Sequence, residues 1–436
     1  MSPRTDADDA PVSHEAVPEQ TSPSEPAPRT TFSSLHVPAY RRLFFAGTAS
    51  FMAVQMQFLL RGVLAWDLTE REGALGLVYF VFGVSMLVAT PLGGVAADRL
   101  PNRTVLLASQ TVLTIGAAGV GLAVVTDVIE YWMLLLASVA QGISFGFYGP
   151  TRMAFSAKLV GADQLGNAIT LSMLSLNGTR IFAPSFAGAL AGIALFGIGG
   201  AYLVAAGFSV VAFFLITRCP AGAPTATATT DGPFTQIWDG VTYVARYPHL
   251  RRLVVSSFFV IMFGFNYVAF VPAFVKDVFE RGDGSVGLLM SASSIGAVVI
   301  AASLARNADG PHAQRLMVVS GVLFGLFVIA LAGAPTYWLA FGVTALVGAS
   351  TTGYQSLSNT LALGMTDESH RGRVQSLMML SFAGFGIAAA PLGLLAEVIG
   401  LRWAMAIMGV VAATACAVYG AAEWWLHRAT PHHAPT

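Results

Sequence analysis

The sequence predicts an all-α polytopic membrane protein with twelve transmembrane helices in two six-helix bundles, and three observations carry that prediction. First, 55% of the 436 residues are hydrophobic and only 11% charged, with a mean hydropathy of +0.68. A soluble domain carries about 25% charge, and the polar side chains needed to cover a water-facing surface of this size are missing. Second, the charges fall in short intervals between stretches long enough to cross a bilayer. Third, two apolar regions of equal length, 43–217 and 251–425, flank one polar interval.

A crossing helix needs roughly 20 apolar residues. Stretches free of Asp, Glu, Lys and Arg run over 43–60, 73–97, 104–126, 131–151, 164–179, 181–217, 253–275, 284–305, 316–366, 374–396 and 403–422. The first continues past Arg61 to about Trp66, and the fifth past Arg180 to about Phe196. Two stretches are too long for one crossing. Gly197-Ile198-Gly199-Gly200 splits 181–217 and Gly333-Ala334-Pro335-Thr336 splits 316–366, both strong turn signals. Twelve spans result.

Lys and Arg set the orientation. With a cytoplasmic N-terminus, seventeen of the 23 basic residues, Arg152 and Lys158 among them, fall in inner loops or tails. Only Arg71, Lys276, Arg281 and Arg402 fall outside, while Arg61 and Arg180 lie within spans. Both termini are therefore expected in the cytoplasm. Residues 1–38 are rich in Pro, Ser, Thr and acids, lack a signal-peptide core and read as a disordered cytoplasmic tail. The remaining organisation is a bundle over 39–218, a cytoplasmic linker over 219–250, a second bundle over 251–426 and a tail over 427–436. The halves echo each other weakly, as a carrier built from repeats would. Gly166 precedes Ala183-Pro184 by eighteen residues, and Gly372 precedes Ala390-Pro391 by nineteen.

Several functions are excluded or left without support. A formal charge of zero argues against a nucleic-acid partner. Cys219 and Cys416 cannot build a disulfide framework. No phosphate-binding loop, metal-ligand spacing or reactive constellation appears, so neither an enzyme, a metal nor a cofactor is expected. Every acid falls in a tail, a loop or a span end, with Asp67, Glu397 and Glu423 nearest the membrane. A proton-coupled carrier commonly uses a carboxylate whose pKa is raised by burial, and the sequence points to none.

Three groups of residues stand out. Between spans 2 and 3 lies Gly94-Val95-Ala96-Ala97-Asp98-Arg99-Leu100-Pro101-Asn102-Arg103. A small residue at 94 permits close helix approach, and Asp98 suits the positive end of a neighbouring helix. In span 5, Gly178, Pro184 and Gly188 weaken the backbone ladder and permit a bend. Packing alone also explains such a kink. Arg61 and Arg180 are expensive within a membrane, at about 2.5–3.5 kcal/mol on insertion scales. Arg61, ~9 Å from its span end, can snorkel outward, whereas Arg180 has no such escape. Gln57 shares a face with Arg61, and Asn177 with Arg180. Asn266 with Tyr267, and Gln355 with Asn359, add polar faces in spans 7 and 10.

The segment from Gly94 to Arg103 resembles the loop signature of the major facilitator superfamily, although Pro101 and Asn102 depart from it. The Asn177–Gly188 segment resembles the span-5 signature of drug/proton antiporters, with Ala183 in place of the final Gly. Tyr40-Arg41-Arg42-Leu43-Phe44, Gln55, Gln57 and the Phe145–Gly188 run are similar to the branch that includes multidrug efflux pumps and the enterobactin exporter. The resemblance covers nearly all of 35–425. It implies a secondary transporter in the inner membrane that exports amphipathic drugs or secondary metabolites against an inward proton flow. It further implies a latch of Gly94, Asp98, Arg99 and Arg103 against span 11, and a central cavity lined by spans 1, 4, 7 and 10 with span 5 nearby. Gln57, Arg61, Asn177, Arg180, Asn266, Tyr267, Gln355 and Asn359 are then the expected substrate contacts, interhelical bonding being the plain alternative. The expected partners are a small-molecule substrate, protons and the lipid bilayer, with a monomeric chain. A siderophore exporter, a nutrient uptake carrier of the same fold and a transport-dead sensor remain open.

Overall fold

The computed structural model describes residues 33–222, 233–304, 312–367 and 370–429. Most of the predicted N-terminal tail, the start of the linker, the Arg306 region and the last residues of the chain lie outside these. Among the described residues every regular element is helical. A chain this apolar satisfies its backbone groups within each segment, as lipid requires.

The first bundle holds α1 (Pro38–Thr69), α2 (Glu72–Arg99), α3 (Asn102–Val125), α4 (Tyr131–Val160), α5 (Ala162–Gly192) and α6 (Gly197–Thr217). A linker helix, α7 (Pro233–Arg246), follows. The seventh span is composite: α8 (Pro248–Met262), a 3-10 turn (Gly264–Asn266), α9 (Tyr267–Ala273) and a π-helical turn (Phe274–Val278). The second bundle continues through α10 (Asp283–Leu304), α11 (Ala313–Ala332), α12 (Tyr337–Gly364), α13 (Arg371–Ile399) and α14 (Leu401–Ala429). Short connections force successive spans antiparallel. One end of the bundle therefore carries Pro38, Ala429 and α7 and is called the terminal end, and the opposite, far end carries Thr69, Glu72 and Ile399.

Nine segments among the described residues are long and apolar enough to cross a membrane. The long helices α5, α12 and α13 complete the twelve crossings, and α5 and α12 carry polar side chains at mid-helix. The span 9–10 boundary, between α11 and α12, falls where Gly333 to Thr336 placed it, and the Thr336 hydroxyl caps α12 by accepting from Leu339 N at 3.4 Å. The span 5–6 boundary is shifted. The chain turns at Ile193–Phe196, and the glycine run opens α6, with Gly197 at φ +55° supplying the left-handed turn.

Arg152 and Lys158 are a further difference, since both lie inside α4 rather than in a loop. The charge-free stretch ends at Arg152, but the helix continues because its guanidinium is taken up between α1, α4 and α5. There it bonds Ser172 Oγ at 3.2 Å and lies 4.9 Å from the Phe51 ring. Glu423, expected near a span end, is likewise buried and ion-paired to Arg252 at 2.6 Å and His249 at 2.6 Å.

The two bundles meet closely at the far end. Cβ atoms built on Gly188 and Gly83 would come within 2.1 Å of Gly287 Cα and 2.7 Å of Gly386 Cα, so α5 packs on α10 and α2 on α13 backbone to backbone. Across the far rim, Arg71 pairs with Glu397 at 3.3 Å, and Lys276 pairs with both Asp67 and Asp283. A Cβ on Gly94 would meet nothing within 4 Å, so the close approach expected there is absent from this structure.

Candidate functional site

A narrow cleft lies at mid-depth between the bundles. Its first-bundle wall is Met173, Leu176, Asn177 and Arg180 of α5, which fall on one face at helical spacing. The opposite wall comes from α8, α12 and α13: Ser257 and Ile261, then Tyr354, Gln355, Ser358 and Asn359, then Met378. Phe265 enters from the 3-10 turn, where the broken seventh span brings its ring to the cleft.

Arg180 spans this cleft and donates from Nη1 to Gln355 Oε1 at 2.9 Å. Pro184, one turn further along, has no N–H to give the Arg180 carbonyl, which loosens the α5 ladder at this turn. α5 stays helical through Pro184, and Ser294 of α10 donates to the Ile181 carbonyl in that turn and bonds Ser185 Oγ at 2.9 Å. Beneath Gln355, a hydroxyl relay joins Tyr354 to Ser257 at 3.2 Å and Ser257 to Ser358 at 2.8 Å. The cleft thus offers one guanidinium, three amides and several hydroxyls over methionine and aromatic walls. Among the described lining residues there is no carboxylate.

Four of the eight expected contacts, Asn177, Arg180, Gln355 and Asn359, meet here. The other four do not line this cleft. Asn266 is fully buried and donates to the Phe385 carbonyl at 3.0 Å, tying the seventh-span break to α13. Tyr267 packs at 6.1 Å from the Phe324 ring within the second bundle. Arg61 does not snorkel outward. Its guanidinium turns into the first bundle, donates to Gln141 Oε1 and lies 4.9 to 5.9 Å from the rings of Phe58, Tyr79 and Phe82. Gln57, one turn earlier, is buried beside it. Desolvating a cation on aromatic faces and amide oxygens replaces the snorkelling route.

At the terminal end, Asp98 makes no hydrogen bond or ion pair among the described residues, and Arg99 is exposed. Arg103 Nη1 instead bonds the Cys219 carbonyl at 3.1 Å, docking the start of α3 to the chain leaving α6. Gly178 faces open space, and Gly188 is the backbone contact to Gly287 already described. Sequence reasoning missed Ser257, Tyr354 and Ser358 in the cleft. Serine and tyrosine are common in apolar helices, and only tertiary packing shows which of them face a cavity. Arg152 was missed for another reason, its position at the edge of a charge-free stretch.

The description of transmembrane secretion effectors matches residues 29–424 as a family. The chain belongs to that family. It is a secondary transporter of the major facilitator superfamily, not an enzyme. It is similar to the enterobactin exporter of Shigella flexneri, with 26% identity over 363 residues, 82% of this chain and 84% of that relative. In fold it is similar to a bacterial homolog of the human lysosomal transporter Spinster, solved inward-facing and unoccupied. The TM-score is 0.70 at 14% identity, covering 93% of this chain and 100% of that one. The nucleoside transporter NupG gives a TM-score of 0.67 at 14% identity, covering 88% and 98%. The transporter's halves thus have the arrangement of known carriers, and its cleft lies between them.

Proposed function

We propose that this transporter exports an anionic, amphipathic small molecule across the cell membrane by alternating access, in exchange for protons. Arg180 carries the reading. It is a guanidinium at mid-depth, on a cleft with apolar walls, and it donates across the cleft to the neutral amide of Gln355. Such a site attracts a carboxylate or phenolate and repels a permanent cation. Asn177, Gln355 and Asn359 give the substrate further hydrogen bonds, and Met173, Met378 and Phe265 hold its apolar part.

The excess of Lys and Arg at the terminal end supports cytoplasmic termini, and tight far-end contacts with an uncrowded Gly94 suit a state that faces the cytoplasm. The bundles 39–218 and 251–426 are the rocking bodies, joined by 219–250. Gly94, Asp98, Arg99 and Arg103 act as the latch of the opposite state, and an Asp98 without a partner among the described residues suits a latch that is released. Gly178, Pro184 and Gly188 let α5 adjust as the halves rock. Kinship with an enterobactin exporter favours a siderophore as the anionic substrate over a nutrient taken inward.

The test is uptake into inside-out vesicles under an imposed proton gradient, with anionic and cationic amphiphiles of matched size. Gradient-dependent uptake of the anions, lost in Arg180→Gln and in Asp98→Asn, is the expected result. Equal transport of cation and anion, unchanged by Arg180→Gln, would sink the anion reading. Competition by enterobactin separates a siderophore carrier from a broader exporter.

A further inference from the structure

We infer that Arg61, Gln57 and Gln141 form a second anion-binding site, sealed in this state behind Phe385 and uncovered when the far end opens. The inference rests on the reading of the chain as an alternating-access anion carrier and adds an exit-side station to it. Arg61 is 2% and Gln57 6% exposed, yet Arg61 Nη1 and Gln57 Nε2 have no hydrogen-bond partner among the described residues. Both donors lie on one face of α1, a turn apart. Gln141 Oε1 takes only Nη2 of Arg61, and no ion pair among the described residues includes this guanidinium. The aromatic faces offset part of the cost of burying this cation, but two buried donors without an acceptor remain costly. They are the complement of an anionic oxygen.

The site is closed by a contact between the bundles. The Phe385 ring of α13 lies tilted 5.5 Å from Phe58 and edge-on 5.9 Å from Tyr79, and these two rings cover Arg61. The contact is held where Gly83 and Gly386 bring the two helix backbones together. Any motion that opens the far end separates α2 from α13, withdraws Phe385 and exposes the donors. Arg61 is eight residues from the far end of α1, while Arg180 is twelve from the far end of α5, so Arg61 stands ~6 Å nearer the exit. The anionic group then leaves Arg180 for Arg61 as the carrier turns outward.

The experiment uses the full-length transporter in nanodiscs, with 1-naphthoate as the anionic probe and 1-naphthylmethanol as its neutral match. Removing the plug with Phe385→Ala is expected to tighten 1-naphthoate binding about tenfold, the weight of one added charge-assisted bond. The neutral probe should gain far less. The gain should vanish in Phe385→Ala/Arg61→Gln and survive in Phe385→Ala/Arg61→Lys. Equal tightening of both probes, or a gain indifferent to Arg61→Gln, overturns the inference, since either would mean loosened packing alone. Should Phe385→Ala fail to fold, Gln57→Cys decides: an impermeant thiol reagent added at the far face is expected to label it only while the carrier cycles. Protection throughout turnover overturns the site. Arg180→Gln with Phe385 intact reports separately on the cleft, so failure of that reading is distinguishable from failure of this one.

Discussion

Arg180 and Gln355 meet at 2.9 Å across the boundary between the bundles, and theirs is a cross-bundle bond in the wall of the cleft itself. The Gln355 amide accepts this bond without cancelling the charge of the guanidinium. A charge-assisted hydrogen bond is worth about 1.5–3 kcal/mol, so Arg180→Gln is expected to lower the transport efficiency for an anion by about 10- to 100-fold. Arg180→Lys should keep part of it. Initial-rate vesicle transport measures both.

Gln355→Glu places a carboxylate against the same guanidinium. The new ion pair competes with an anionic substrate and changes the sign of the cleft wall. Anion transport should fall at least as far as in Arg180→Gln, while the protein elutes unchanged as a folded species. Retained anion transport in Gln355→Glu would show that the substrate does not use this pair.

Gly188 lets α5 reach the backbone of α10, and the Cβ of any other residue would lie 2.1 Å from Gly287 Cα. Gly188→Val is therefore expected to hold the far end apart. A spin-label or fluorophore pair across the far rim should report a longer distance, and transport should be lost without loss of membrane insertion.

Lys276 sits in the π-helical turn of the seventh span and serves two carboxylates, Asp67 from the first bundle and Asp283 from the second. Removing the ammonium leaves the two acids facing each other, which like-charge repulsion opposes. Lys276→Met should raise thiol accessibility at the far rim. Arg71→Ala should change it little, because Arg71 is 70% exposed and such pairs are worth about 0–1 kcal/mol.

Cys219 lies just past α6, where burial raises its thiol pKa and the guanidinium groups of Arg42 and Arg103 oppose the shift without reversing it. A raised pKa means less thiolate at neutral pH. Iodoacetamide should modify Cys219 slowly at about pH 7.5 and faster as the pH is raised, which mass spectrometry of the intact chain can follow. Rapid modification at neutral pH would show a more open terminal end.

Pattern alone carried the architecture a long way. The twelve spans, the two six-span halves and the turn at Gly333–Thr336 follow from hydropathy and charge, because lipid leaves a chain few ways to satisfy its backbone. The same pattern marked Arg180, Asn177, Gln355 and Asn359, since polar groups at mid-membrane are too costly to be placed without a partner or a cavity. Arg61 satisfied that rule as well, yet it turns into its own bundle.

What only the tertiary structure decided is which partner each costly group found. Sequence spacing gives the face of a helix, but not whether that face meets a cleft, an aromatic cage or another helix. Arg180 faces the other bundle, Arg61 is covered by rings from α1 and α2, and Arg152 is enclosed by α1 and α5 although it closes a charge-free stretch. The break of the seventh span at Gly264–Asn266 likewise depends on the bond from Asn266 to α13. Membrane insertion is governed by summed local apolarity, which is written along the chain, whereas the fate of each buried polar group is set by contacts between residues far apart in sequence.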